Sequence, residues 1–139
     1  MTSPTEPLFP TGLPQRLADA AYVDGDPAWK QGDCVEVIQW LSGNGLAVLG
    51  TELWLVKNGL MHTEIDTVKG PVPFRTNCDP LSHEKWPDYV RRSGELAVKT
   101  VEGFRWPEDS RESPDIGVYF NITWTDRQWF RSRNKFIED

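Results

Sequence analysis

The chain has 139 residues, 38% hydrophobic and 26% charged, with a formal net charge of −6. That length suits a single domain burying about two-thirds of its unfolded surface. The acidity argues against nucleic acid or an anionic membrane as the main partner, and the apolar runs are far too short for a membrane span.

Residues 1–15 contain Pro4, Pro7, Pro10 and Pro14, which exclude regular structure and predict a Pro-rich N-terminal arm ahead of one domain over 16–139. The start, Met-Thr-Ser-Pro-Thr-Glu-Pro, has no basic n-region and no apolar h-region, so a cytoplasmic location is expected. In that compartment Cys34 and Cys78 are expected to stay thiols, with Cys34 in the core. Residues 16–23 suit a short helical turn. Asp26-Pro27 reads as the cap and first residue of a helix carrying Trp29, broken or bent at Gly32.

The rest is organised around Asp33 to Met61. Apolar residues at 34, 37, 38 and 41 form an amphipathic stripe, with Asp33 placed as N-cap and Gly43-Asn44-Gly45 as terminator. Leu46–Leu49 and Thr51–Lys57 read as strand, with Gly50 as a bulge or tight bend. Asn58-Gly59 is the strongest short hairpin signal, and Leu60–Ile65 is the returning strand. Residues 66–80, with Gly70, Pro71, Pro73 and Pro80, predict a long loop.

A second amphipathic helix is expected from about Trp86 to Phe104. Ser82 is one candidate cap; Pro87 suits the first turn if the cap lies nearer Trp86, and Gly94 marks a close contact. Arg105–Asp115 reads as a polar loop. Ile116–Trp124 alternates Val118, Phe120, Ile122 and Trp124 against Tyr119, Asn121 and Thr123, a half-buried strand. Gln128–Ser132 is expected as a last edge strand before a basic tail. The fold class is therefore α+β: a small antiparallel sheet of three to five strands with two main helices on one face.

Chemistry is sparse. His62, His83, Cys34 and Cys78 show no metal-ligand spacing, and Gly43-Asn44-Gly45 sits at a helix C-terminus, the wrong end for phosphate. No metal or cofactor is expected. His62 and Glu64, two apart on one strand, are the only candidate general-base pair, and no nucleophile motif accompanies them. Arg127, Arg131, Arg133 and Lys135 around Trp129 and Phe130 are read as a solvated edge, not a nucleic-acid patch. Charge is uneven: residues 1–70 hold nine acids and four bases, residues 71–139 twelve and eleven.

Two segments carry a resemblance. Gly45-Leu46-Ala47-Val48-Leu49-Gly50-Thr51-Glu52-Leu53-Trp54 follows the first helix, and Trp86-Pro87-Asp88-Tyr89-Val90-Arg91-Arg92-Ser93 follows later, with Ala97 four residues on. Together they resemble bacterial polymorphic-toxin immunity proteins, the group numbered forty among them. Residues 70–78 and 116–130 lie outside the matched pattern. The resemblance implies a cytoplasmic, non-catalytic protein that binds and neutralises a cognate toxin by occlusion, a basic nuclease being one fitting toxin class. An acidic face would give such an inhibitor on-rate and specificity. The acids expected to meet the toxin are Glu52, Glu64 and Asp66, with the 66–80 loop, then Asp24, Asp26, Asp33 and Glu36. The rivals are an accessory or adaptor module of a bacterial assembly, and a small enzyme using His62 and Glu64.

Overall fold

The computed structural model describes residues 8–133, so residues 1–7 of the arm, and Asn134 and Lys135 of the basic tail, lie outside the described residues. The elements run α1 (Gln15–Ala20), β1 (Tyr22–Asp24), β2 (Asp26–Trp29), α2 (Gln31–Gly43), β3 (Ala47–Lys57), β4 (Leu60–His62), β5 (Glu64–Thr67), β6 (Gly70–Pro73), β7 (Arg75–Asn77), α3 (Trp86–Glu102), β8 (Gly117–Thr125) and α4 (Arg127–Arg133). The class is α+β as expected. The main sheet is antiparallel with six strands, one more than the expected range, in the order β1-β2-β8-β3-β4, with β7 also on β3.

β3 is the spine. From Ala47 to Val56 it pairs with β8; on its other edge β4 covers Leu55–Lys57 and β7 covers Gly50–Glu52. The register against β8 shifts between Val48 and Gly50, the expected bulge. Glycine is needed there, because a Cβ on Gly50 would lie 2.5 Å from the Thr76 carbonyl oxygen and 2.8 Å from Asn77 Oδ1. The Asn58-Gly59 turn has φ of 52° and 76°, the double left-handed conformation of a tight hairpin.

Both main helices cover one face. Val37, Ile38 and Leu41 of α2, and Ala97 and Val101 of α3, share a core with Leu53, Leu55, Phe120 and Ile122. Where the helices cross, a Cβ on Gly94 would overlap the Ser42 hydroxyl, which explains the glycine. Trp86, Tyr89 and Phe130 form a second cluster at the end of the sheet. Phe9 packs on Trp29, and Trp29 Nε1 donates to the Leu17 carbonyl at 2.7 Å, so the chain just before α1 and α1 itself close that flank.

Several expectations are corrected. The α2 N-cap is Lys30, without a side-chain cap bond; Asp33 lies in the first turn, and Gly32 is inside the helix. Of the two caps left open for α3, the one nearer Trp86 holds: Lys85 is the N-cap, with Pro87 in the first turn, and Ser82 is not. Asp26-Pro27 opens a strand, not a helix, because Gly25 at φ 75° turns β1 straight back onto β2. The 66–80 stretch holds strands, and the return from Asn58-Gly59 splits at Thr63 into β4 and a separate ribbon, β5–β6. In that ribbon Pro71 faces Asp66 and Pro73 faces Glu64, alternate positions where no inward N–H is required. The outer edge of β6 therefore presents no N–H at either proline, so it is a poor template for another strand. Finally, residues 127–133 are helix, because Asp126 Oδ1 accepts the Trp129 N–H at 2.7 Å as an N-cap.

Candidate functional site

The face of the sheet away from α2 and α3 carries the candidate site. Strand alternation dictates its members: where Leu53 and Phe120 point into the core, Glu52, Trp54, Tyr119 and Asn121 point out. Glu52 stands opposite Asn121 and Trp54 opposite Tyr119 across β3–β8, and Glu52 stands opposite Arg75 across β3–β7. On the other flank Ala28 faces Asn121, and Tyr22 faces Ala28. Because Ala28 has only a methyl group, the Tyr22 ring reaches across it. Its centroid lies 5.2 Å from Tyr119 and 6.3 Å from Trp54, the latter edge-on at 90°.

These three rings make a rigid centre. Trp54 is only 5% exposed, while Tyr22 and Tyr119 are half-buried. The Trp54 indole N–H donates to Glu52 Oε1 at 3.1 Å, fixing a half-buried carboxylate beside the rings. The Asn121 amide donates to the Pro27 carbonyl at 2.8 Å. Asp24 and Asp26, in register with Tyr22 and Ala28, extend the same face as exposed acids. On the outward positions of these strands three acids thus stand against one base, Arg75, among the described residues; Lys57, at the end of β3, has the opposite parity. Aromatic anchors within a polar, charged surround are the anatomy of a protein-binding patch.

The expected acids do not gather in one place. Glu52 lies on the open face. Asp33 and Glu36 lie on α2, across the sheet, where Glu36 pairs with Arg16. Glu64 and Asp66 lie on the β5–β6 ribbon, where Arg111 stands 3.8 Å from Asp66. Tyr22, Tyr119 and Arg75 went unselected on sequence; Tyr119 was readable from the alternation of β8, whereas Tyr22 and Arg75 come from short strands with no local signal.

His62 and Glu64 do not form a pair, because the strand breaks between them. His62 Nε2 instead meets Glu112 Oε1 at 2.9 Å, and the same oxygen accepts the Asp66 N–H at 2.7 Å. Burial alone would raise the Glu112 carboxyl, but the Asp66 N–H and His62 prevail and hold it below the usual glutamate range. Arg111 N–H to the Asp66 carbonyl (2.7 Å) and Val68 N–H to the Asp109 carbonyl (3.0 Å) complete this seam. It fastens the ribbon to the loop before β8. Neither His62 nor Glu64 lines the grooves at α2–α3, at β2–β8 or beside Cys78. No family model, curated protein or solved structure matches the chain.

Both cysteines are buried free thiols, and burial pushes each above the usual thiol range, for Cys78 in spite of Arg92 at 3.3 Å. Arg92 is a structural clamp. Its Nε and Nη2 hold the two Glu84 oxygens at 2.8 and 2.7 Å, and Nη2 also holds the Asp79 carbonyl at 2.7 Å. Tyr89 Oη donates to the Cys78 carbonyl at 2.5 Å, so the 78–85 loop is tied to α3 from both ends. Among the described residues, no group of three or more His, Cys, Asp or Glu is placed to hold a metal ion.

Proposed function

We propose that the chain works by binding another protein through the open face of its sheet, as an immunity protein that neutralises a cognate toxin by occlusion. The observation that carries this reading is the Tyr22–Trp54–Tyr119 centre beside Glu52, with Asp24 and Asp26 on its flank. Packed rings with few rotamers supply apolar contact at low entropic cost, and the acids favour a basic counterpart. The resemblance of residues 45–54 and 86–97 to immunity proteins supplies the toxin as that counterpart. Catalysis has no part in this reading, and His62 with Glu112 serves to hold the ribbon.

Co-expression tests it. The C-terminal domain of the protein encoded immediately upstream is induced in a bacterial host with and without this chain. Growth arrest relieved by the chain, with co-purification of the two, is the expected result. Glu52→Lys is expected to weaken relief and Glu36→Lys to leave it intact, since Glu36 lies across the sheet. Absence of toxicity, or toxicity that the chain fails to relieve, would favour an accessory module instead. Relief equally sensitive to both substitutions would refute the open face as the contact surface.

A further inference from the structure

A second surface lies on the other side of the molecule. α2 and α3 flank a groove of about 720 Å³, with Ile38, Trp86, Val90 and Val98 among its apolar lining. Trp86 lines one end, its indole N–H held by the Gly45 carbonyl at 3.0 Å, with Gly43 and Gly45 beside it. Three charged residues of α3 also line it, Arg91, Glu95 and Lys99, spaced four apart and so aligned along one ridge as plus, minus, plus. Arg91 also reaches Asp88 at 3.2 Å on the exposed surface, whereas Glu95 and Lys99 have no ion-pair partner among the described residues. From Trp86 to Lys99 the groove runs about 20 Å, the length of a helix of three to four turns.

We propose that this groove seats an amphipathic α-helix of a partner protein whose flank presents acid, base and acid at four-residue steps. The apolar floor takes the helix's apolar stripe, and the ridge sets its register. Charge selects against a second copy of this chain in the register that would cover the whole ridge: in a two-fold pair centred on Glu95, Arg91 would face Lys99 of the other copy, and the two Glu95 carboxylates would face each other. The inference is independent of toxin neutralisation, since it concerns the opposite side of the sheet and its test uses no toxin.

The probe is a stapled helical peptide of about fourteen residues, leucine along one face and Glu, Lys, Glu along the flank, titrated into the full chain and followed by amide NMR. Half-saturation at or below about 100 μM is expected, with shifts at Gly43, Val98 and Lys99 and none at Glu52 or Tyr119. Glu95→Lys is expected to weaken this peptide about three- to tenfold and to strengthen a Glu, Glu, Glu peptide by a similar factor. Val98→Glu, at a half-buried position on the rim of the core, is expected to abolish binding while the thermal transition stays cooperative. Four results would each overturn the proposal: no saturation at that concentration, shifts on the open sheet face, a dimer in solution that Val98→Glu disperses, or peptide binding that requires deletion of residues 134–139.

Discussion

The two faces of the central sheet are made by the same strands and differ in what covers them. On β8, Phe120 is 1% exposed beneath the helices, while its neighbour Tyr119, half-buried, lies on the open side against Tyr22. On β3, Leu53 is fully buried, and the adjoining Glu52 keeps a carboxylate at the surface. The helix-covered face owes its order to the hydrophobic effect, which is non-directional and forgiving of exchange among apolar side chains. The open face is ordered by ring geometry and by the Trp54–Glu52 hydrogen bond, so its arrangement is specific while its share of the stability is small. Substitutions should therefore separate the two faces, one reading out in folding and the other in binding.

The largest effect expected is on the covered face. Phe120→Ala removes a ring packed on Phe74 and Phe104 and should cost about 3–5 kcal/mol in urea unfolding. Tyr119→Ala, one residue away, should cost about 1 kcal/mol, the scale of an aromatic pair, yet lower partner affinity more than Phe120→Leu does. Equal costs at 119 and 120 would break the distinction.

The Glu84–Arg92 clamp comes next, because it ties the 78–85 loop to α3 on the covered side. Glu84→Gln leaves Arg92 short of a charged acceptor and should cost about 1.5–3 kcal/mol. Arg92 holds the Glu84 carboxyl below the usual glutamate range. A carboxyl depressed by folding stabilises the fold above its unfolded pKa, and that stabilisation disappears as pH falls through the lower folded value. Wild-type stability should thus decline from the ordinary glutamate pKa of about 4.3 downward, and decline less steeply in Glu84→Gln. Parallel curves for the two proteins would mean that the clamp does not titrate with folding. Gly50→Ala should cost about 1–3 kcal/mol by overpacking, with hydrogen exchange at Arg75–Asn77 accelerated first, since β7 is what the new methyl strikes.

How much of this could be read from the residues follows from how local each signal is. The Asn58-Gly59 turn, the end of α2, the amphipathic course of α3 and the alternation of β8 each depend on a few adjacent residues, and all appear as expected. The misses have non-local causes. Asp26-Pro27 resembles a helix start until Gly25 folds β1 back on β2. Pro71 and Pro73 look like loop residues until the register places them where no inward N–H is required. Gln128–Ser132 passes for a strand unless Asp126 is credited as a cap. For the site, acids close in sequence proved to lie on opposite sides of the sheet, and the partner of His62 is Glu112, fifty residues away, which spacing cannot reveal.

The finest test of the comparison is Glu52→Gln, where the expected change in stability is smallest and the functional one is not. The amide oxygen can still accept the Trp54 indole N–H that Glu52 now takes at 3.1 Å, so the ring cluster stays in place and unfolding should shift by no more than about 0.5 kcal/mol. What disappears is one charge at the centre of the open face. Affinity for a basic partner should fall about two- to tenfold at low ionic strength, mostly through a slower association rate, and the difference should shrink as salt is added. A loss of affinity that salt does not diminish would mean that Glu52 acts as a buried hydrogen-bonding group within the interface. In that case the open face would recognise its partner by shape and rings, with Asp24 and Asp26 left to steer the approach.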